Sequence, residues 1–546
     1  MTLPTGRTSI GIPPWGLLLA LGLLLTLRPA AAQVDPVEPE AHFHASPHIP
    51  LGHWAYPILD HWIAAGRMPN LSPFTRPYRR LDVAHAVSGL VAHELGPGEQ
   101  DHLLALRAEL EPELRRLAGE PVPTDRLWMD LTLGAGIHSQ THPDLLRPEL
   151  DGPFSGTRLL EHGQLDLGAQ LGNVIAGVRI LRDGLLRNDP RFPDGKVVER
   201  EGEAFLTELA LRVEEAYVGV EGRRARISFG RSYRNWGAPG SHGLLRSNAA
   251  YSYDEIAYRF GSDRIFLAGA ITSLPDVTGD TVRFHSAHRL EIRLTENFMV
   301  AVSEASIHGG PGKRLDPRLI SPLAIWELTR DGERNTQSNL LAQLDVWWRP
   351  SSGVVLFGSL LGDSPPGVGA CCEAGGTVGI ELPSLAPDVL VRAHVTAIES
   401  LVYRTRRPWE EHSFQGVGLG WDKADLVLLT MEAQWLAAPG LSLRPQLDLQ
   451  MRGEESEFRD RLRPGGSELE GFPGILVGRH ETTIRPSLGG RWRTGDRWGV
   501  EVTWDAGLNR IRHLGHQEGA HRTTFVGGAR VSIEAPRIGV SPGRFQ

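Results

Sequence analysis

The sequence predicts an all-β fold: about eighteen antiparallel strands closed into a transmembrane β-barrel, with a small α-helical domain in front. Three observations predict it. From Leu127 onward apolar and polar residues alternate, the period of a strand with one greasy and one wet face. The alternating runs are joined by connections that are short and long by turns, as periplasmic turns and extracellular loops are. No stretch after residue 32 approaches the ~18 apolar residues that a spanning helix needs. Lipid offers no hydrogen-bond partner, so a closed ring of strands is the remaining way across a bilayer.

In chain order, residues 1–32 read as a secretory signal peptide. Arg7 supplies the positive start, Gly16 to Leu27 the short apolar stretch, and Ala30-Ala31-Ala32 the cleavage site. Residues 33–50 form a Pro/Glu/His-rich linker. Its His42, His44 and His48 have no carboxylate or cysteine at ligand spacing, so a disordered linker is expected rather than a metal site.

Residues 51–120 have helical periodicity. Trp54, Ile58, Trp62 and Ala65 share a face of a first helix that Gly66 stops. Leu81 to Leu95 reads as a second helix and Leu103 to Ala118 as a third, its apolar face formed by Leu103, Leu106, Leu110, Leu114 and Leu117. The pattern His53-Trp54-Ala55-Tyr56, Ala65-Gly66 and Arg79 to Ala84 resembles one S-layer homology repeat. That resemblance implies contact with the cell wall through residues 51–120.

The barrel is expected over residues 127–535, with a tail at 536–546. The clearest strands are Val389 to Ala397, Leu441 to Arg452 and Val500 to Leu508, each near the ~9–11 residues of a tilted crossing strand. The helical domain enters on the side of the short turns, which places it in the periplasm of a Gram-negative-type cell. Trp347, Trp348, Trp435, Trp498, Trp504 and Tyr217 lie in or near strand ends and are expected to form an interfacial girdle.

Composition excludes some functions. The net charge of -8 comes from interspersed charges with no basic stripe, so nucleic acid is not an expected partner. The cysteines, Cys371 and Cys372, are adjacent, so no disulfide framework exists. Two thiols in a loop are the plain reading; a vicinal or intermolecular bridge is the other.

One stretch stands out, Arg224 to Ala249, a strand running into a Gly/Pro/aromatic loop. Gly230-Arg231, Trp236-Gly237-Ala238-Pro239-Gly240 and Leu244 to Ala249 resemble a stretch of the Wzi-type capsule assembly family of outer-membrane proteins. So do Ser303-Glu304-Ala305 with Arg314-Leu315-Asp316 to Ser321-Pro322-Leu323, Asn339-Leu340 to Pro350, Gly418 to Leu428 and Arg452-Gly453-Glu454. The sequence departs from the family at Ala238, at Ser321 and at Trp421. The resemblance implies an approximately eighteen-stranded barrel with a periplasmic helical bundle, acting as a lectin that attaches capsular or other surface polysaccharide, among outer-membrane lipid and lipopolysaccharide.

A sugar site needs aromatic faces and a few fixed polar groups. Tyr233, Trp236, Trp326 and Trp421 supply faces; Arg231, Arg234, Asn235, Arg314, Asp422 and Asp425 supply donors and acceptors, all expected at one mouth. The plainer reading is that these residues brace the lumen through Arg–Asp pairs and tight turns. A porin is the alternative function, closed if the long loops fold inward. An enzyme acting on lipid or glycan is the third, but no nucleophile signature supports it; Gly240-Ser241-His242 is a chance-level hint. No cofactor or metal is expected, and the acidic run Glu454-Glu455-Ser456-Glu457 reads as a solvated loop.

Overall fold

In the computed structural model the alternating segments pair edge to edge until the last meets the first. The structure describes residues 45–540 except 121–124, 142–155, 184–210, 223, 250–251, 275–280, 324–325, 327–337, 365–372, 387, 406, 415–416, 457–473 and 495–497. The signal peptide, most of the linker and Cys371-Cys372 lie outside the described residues.

Among the described residues eighteen long strands form the wall. They are β1 (Arg126–Gln140), β2 (Gly156–Leu171), β3 (Val174–Asp183), β4 (Leu211–Glu221), β5 (Ala225–Arg231), β6 (Asp254–Gly261), β7 (Ile265–Leu274), β8 (Thr281–Thr295) and β9 (Phe298–Pro311). Then come β10 (Ser338–Ser351), β11 (Val354–Ser364), β12 (Glu373–Ala386), β13 (Val389–Ile398), β14 (Leu426–Ala438), β15 (Leu441–Arg452), β16 (Glu481–Arg493), β17 (Gly499–Arg512) and β18 (His521–Glu534). Every neighbour is antiparallel, and β1 closes the ring on β18 from Thr132↔Glu534 to Gln140↔Val526. Closure leaves no edge with unpaired backbone groups.

The alternation sorts side chains as the sequence predicts. In β15, Leu447 is exposed on the outer wall while Asp448 and Gln450 are buried inside. Trp348, Trp435, Trp492 and Trp498 are exposed near the short turns, the place of an interfacial belt. Two expected belt residues face inward instead: Tyr217 stacks on His48 at 5.5 Å, and Trp347 is buried among core residues. Each falls on the inward parity of its strand, so the period decides against the residue type. The tail also differs from expectation. Ile538–Val540 pairs with Leu127 to Met129, because β1 extends past the end of β18.

The helical unit contains α1 (Ala55–Ala64), α2 (Arg80–Ser88), α3 (Pro97–Glu109) and α4 (Glu111–Leu117) among the described residues. The third expected helix is thus two. Pro112 cannot donate to Ala108 and its ring crowds that carbonyl, so the chain breaks at Leu110. The described part of the linker begins at Ala45, whose neighbour Ser46 donates its amide to Glu221 of β4 at 2.9 Å. The barrel also caps α3. Asp388, in the turn between β12 and β13, accepts from the amides of Gly98 (3.3 Å) and Glu99 (3.2 Å) at the helix N-terminus. The unit is seated in the short-turn end of the ring: Arg349 donates to Ala65 O (2.7 Å), Arg293 to Leu71 O (2.9 Å) and Arg126 to Glu113 (2.7 Å).

Candidate functional site

The loop after β5 does not rise from the barrel; it turns into the lumen. Its neck is two glycines wide. A side chain on Gly237 would come within 2.4 Å of Gly243 Cα, and one on Gly243 within 2.2 Å of the carbonyls of Trp236 and Arg246. Asn235 clasps the neck, donating to Ser241 O (3.1 Å) and accepting from Gly243 N (2.8 Å). Arg234 and Arg246 converge on the buried carboxylate of Glu255 in β6. Trp236 lies under the Arg246 guanidinium at 5.3 Å.

Asn235–Trp236 then pairs with Thr75–Arg76, part of the connection between α1 and α2 that the helical unit sends into the lumen. Gly237 N donates to Phe74 O at 3.0 Å. The plug from one end and the loop from the other meet as a two-stranded ladder inside the ring.

A second loop, between β13 and β14, locks the first. Tyr403 donates its hydroxyl to Leu244 O, and Ser247 donates to the carbonyls of Leu419 (2.8 Å, from its amide) and Gly420 (from its hydroxyl). His412 lies 2.7 Å from Leu245 O through Nε2. A carbonyl only accepts, so Nε2 carries the proton. Burial first, then Arg283 and Arg246, hold this imidazole down at about 4, hence neutral. Gln343 of β10 accepts from Leu245 N at 2.8 Å. Asp425 is buried and accepts the amides of Glu455 (3.1 Å) and Val477 (3.0 Å), tying down both ends of the connection between β15 and β16.

The expected site residues divide into four groups. Arg234, Asn235, Trp236, Trp421 and Asp425 come together at the mouth and in the lumen, but most of their polar groups are spent on bracing. Arg231 has the outward parity of Ile227 and Phe229 and forms a two-point ion pair with Asp254 (3.0 and 2.8 Å) on the outer side of the wall. Arg314 is exposed on the segment that leaves the rim after β9 and passes outside the barrel. Tyr233 and Asp422 remain half-buried.

Trp421 leads to residues that sequence reasoning set aside. Its Nε1 donates to His242 O at 3.2 Å, and its ring meets the His242 ring edge-on at 5.7 Å. His242 is exposed and lies 3.3 Å from the half-buried Asn248. His242, Asn248 and Trp421 therefore form one constellation of an imidazole, an amide and an indole edge, and Asp422 follows Trp421 in the chain. The signal for it was the histidine inside Gly240-Ser241-His242-Gly243, beside an Asn in the same loop. Ser241 Oγ lies against the carbonyls of Ala238 (3.2 Å) and His242 (3.4 Å), so it is engaged by the backbone. Among the described residues no group of three His, Cys, Asp or Glu is placed to hold a metal ion. A separate cavity lies between the Thr75–Tyr78 segment and the β4–β7 wall, lined among others by His48, Arg76, Tyr217, Arg226 and Tyr258.

No family model matches this chain, and no curated protein matches it. Among solved structures it is similar to Wzi of Escherichia coli, described as an outer-membrane protein involved in group 1 capsule assembly and a carbohydrate-binding β-barrel. The TM-score is 0.59 at 14% identity, over 88% of this chain and 97% of that one. The chain has the fold of an outer-membrane β-barrel. Two Pseudomonas aeruginosa structures also match: OpdQ, at TM-score 0.40 and 7% identity over 76% of this chain and 98% of that one, and OprD, at 0.40 and 9% over 76% and 95%.

Proposed function

We propose that this protein resides in the outer membrane with its helical unit in the periplasm, and that it binds surface polysaccharide at its long-loop mouth without conducting solutes. The observation that carries this reading is the ladder of Thr75–Arg76 with Asn235–Trp236, which joins plug and loop inside the ring. A porin needs a continuous wet path; here plug and loop share backbone hydrogen bonds. The likeness to a carbohydrate-binding barrel supports a glycan as the ligand.

The contact residues we assign are His242, Asn248, Trp421 and Asp422. The imidazole, amide and carboxylate supply directional partners for hydroxyls, and the aromatic rings supply apolar faces. Glycan binding by detergent-purified protein, using polysaccharide from its own source, tests the proposal. His242→Ala with Asp422→Asn is expected to weaken binding about tenfold or more, as two lost hydrogen-bonding partners would, while folded migration on gels is kept. Binding unchanged in that variant would overturn the site; no glycan binding by the parent would overturn the function. Trp236→Ala and Arg231→Ala are poor probes: the first breaks the buried ladder and the second acts on the outer wall.

A further inference from the structure

The outer wall changes character with height along β8, β9 and β10. Leu290, Val302 and Leu344 face outward at mid-height, with Leu290 and Leu344 each 39% exposed. Higher on the same face stand polar residues: Ser286 and His288 on β8, Glu304, Ser306 and His308 on β9, and Ser338 on β10. A bare polar wall there would face acyl chains at a cost of several kcal/mol. It is not bare; all six residues are buried.

The cover is the segment that follows β9. Trp326 packs 4.1 Å from the His288 ring and donates its amide to Glu304 at 2.9 Å. His288 Nε2 lies 3.1 Å from the same carboxylate oxygen. Trp326 Nε1 donates to Ser321 O at 3.0 Å, and Leu319 and Trp326 pack on Leu340. The chain therefore leaves the rim at Pro311 and descends over the outside of the barrel as a strap. His288 is seven residues below the strand end at Thr281. With a rise of ~3.3 Å per residue and a tilt of ~40°, that is roughly 18 Å of depth.

What the strap shows to its surroundings is graded in the same direction. Lys313 and Arg314, nearest the rim, are exposed, whereas Arg318 is held by Asp316 at 2.9 Å. Leu315 is 37% exposed, and Leu323, between Ser321 and the anchored Trp326, is 86% exposed. Cations above and bare leucines below match a phosphorylated lipid, whose phosphates sit above its acyl chains. We propose that the strap binds a phosphorylated glycolipid of the outer leaflet. Lys313 and Arg314 meet the headgroup phosphate; Leu315 and Leu323 enter the acyl layer. The proposal rests on the membrane-spanning reading and is independent of the glycan site.

The test reconstitutes the full chain in phosphatidylcholine nanodiscs doped with lipid A and counts retained lipid A by native mass spectrometry. Dephosphorylated lipid A and added inorganic phosphate form the control arms. Lys313→Gln with Arg314→Gln is expected to reduce retention about thirtyfold, from the ~1 kcal/mol that each cation contributes near an anionic surface. The dephosphorylated lipid should be retained as weakly by the parent, and inorganic phosphate should not displace the intact one. Leu323→Ser should also lower retention. Equal retention by the double variant, equal retention of the dephosphorylated lipid, or displacement by free phosphate would each overturn the proposal. Both variants lie on the strap surface, so unchanged glycan binding shows that the mouth is intact.

Discussion

Glu255 shows how one residue decides what others can do. It is buried in β6 and receives both Arg234 and Arg246, the latter also buried. Two guanidiniums and one carboxylate out of water are tolerable only as a set. The sequence displayed Arg234 in a loop and suggested sugar binding; the carboxylate that neutralises it lies beyond the loop and is visible only in the fold. Removing it leaves buried positive charge without a partner, a loss of about 3–5 kcal/mol. Glu255→Ala is therefore expected to lower the temperature at which folded migration on gels is lost. Arg246→Met added to it should restore part of the loss, because the pair vanishes together. No change in that temperature for Glu255→Ala would show that the triad carries no stability.

At the scale of elements, the helical unit is docked mainly by carboxylates. Burial pushes Asp82 up, but Arg79 and Arg226 outweigh it and hold the carboxyl below the usual range. Burial pushes Glu109 up as well, and His53, Arg80 and Arg493 prevail over it. Such groups stabilise the folded state above their ordinary values, 3.8 for Asp82 and 4.5 for Glu109, and lose that contribution as pH falls through the depressed values. His48 works in the same direction. Burial first, then Arg234, Arg226 and Arg79, lower it from 6.5 to about 3. The unfolded chain takes up a proton below 6.5 that the folded chain refuses down to about 3, so stability falls across that window. Acidification is expected to lower hydrogen-exchange protection in α1–α4, measured against the intrinsic rate at each pH, before the barrel opens. His48→Phe should make the change above pH ~4.5 shallower, leaving the carboxylate step below it. A profile identical to the parent would show that His48 is not refusing a proton. Neither docking set was legible beforehand, since residues 33–50 read as a linker by composition and His48 finds its partner Tyr217 across the barrel.

At the scale of the molecule, the period-2 pattern, the short and long connections and the strand number were all legible, because a wall that separates lipid from water writes itself on every strand. Which loops turn inward was not legible. The Trp236 loop enters the lumen while the Arg314 segment goes down the outside, although both are Gly/Pro-rich connections on the same rim. The difference lies in what each meets: Phe74 and Glu255 inside, His288 and Glu304 outside. The inward turn has a consequence for the whole chain. The ladder at Thr75 and Trp236 joins a unit on the short-turn side to a loop on the other, through the width of the membrane. Holding the loop then depends on the plug, since Arg289, whose guanidinium lies 5.4 Å from the Phe74 ring, also pairs with Asp345 (2.7 Å), and Asp345 receives Gln343, which holds Leu245. Replacing Ser72 to Tyr78 by a Gly/Ser linker should remove one strand of the ladder and leave the ring of eighteen strands closed. Amides from Asn235 to Ser247 are then expected to exchange faster by tenfold or more, about the loss of one or two backbone hydrogen bonds. Planar bilayers should show conductance steps that the parent lacks. A parent that conducts, or a loop whose exchange ignores the replacement, would mean that plug and mouth are packed side by side without holding each other.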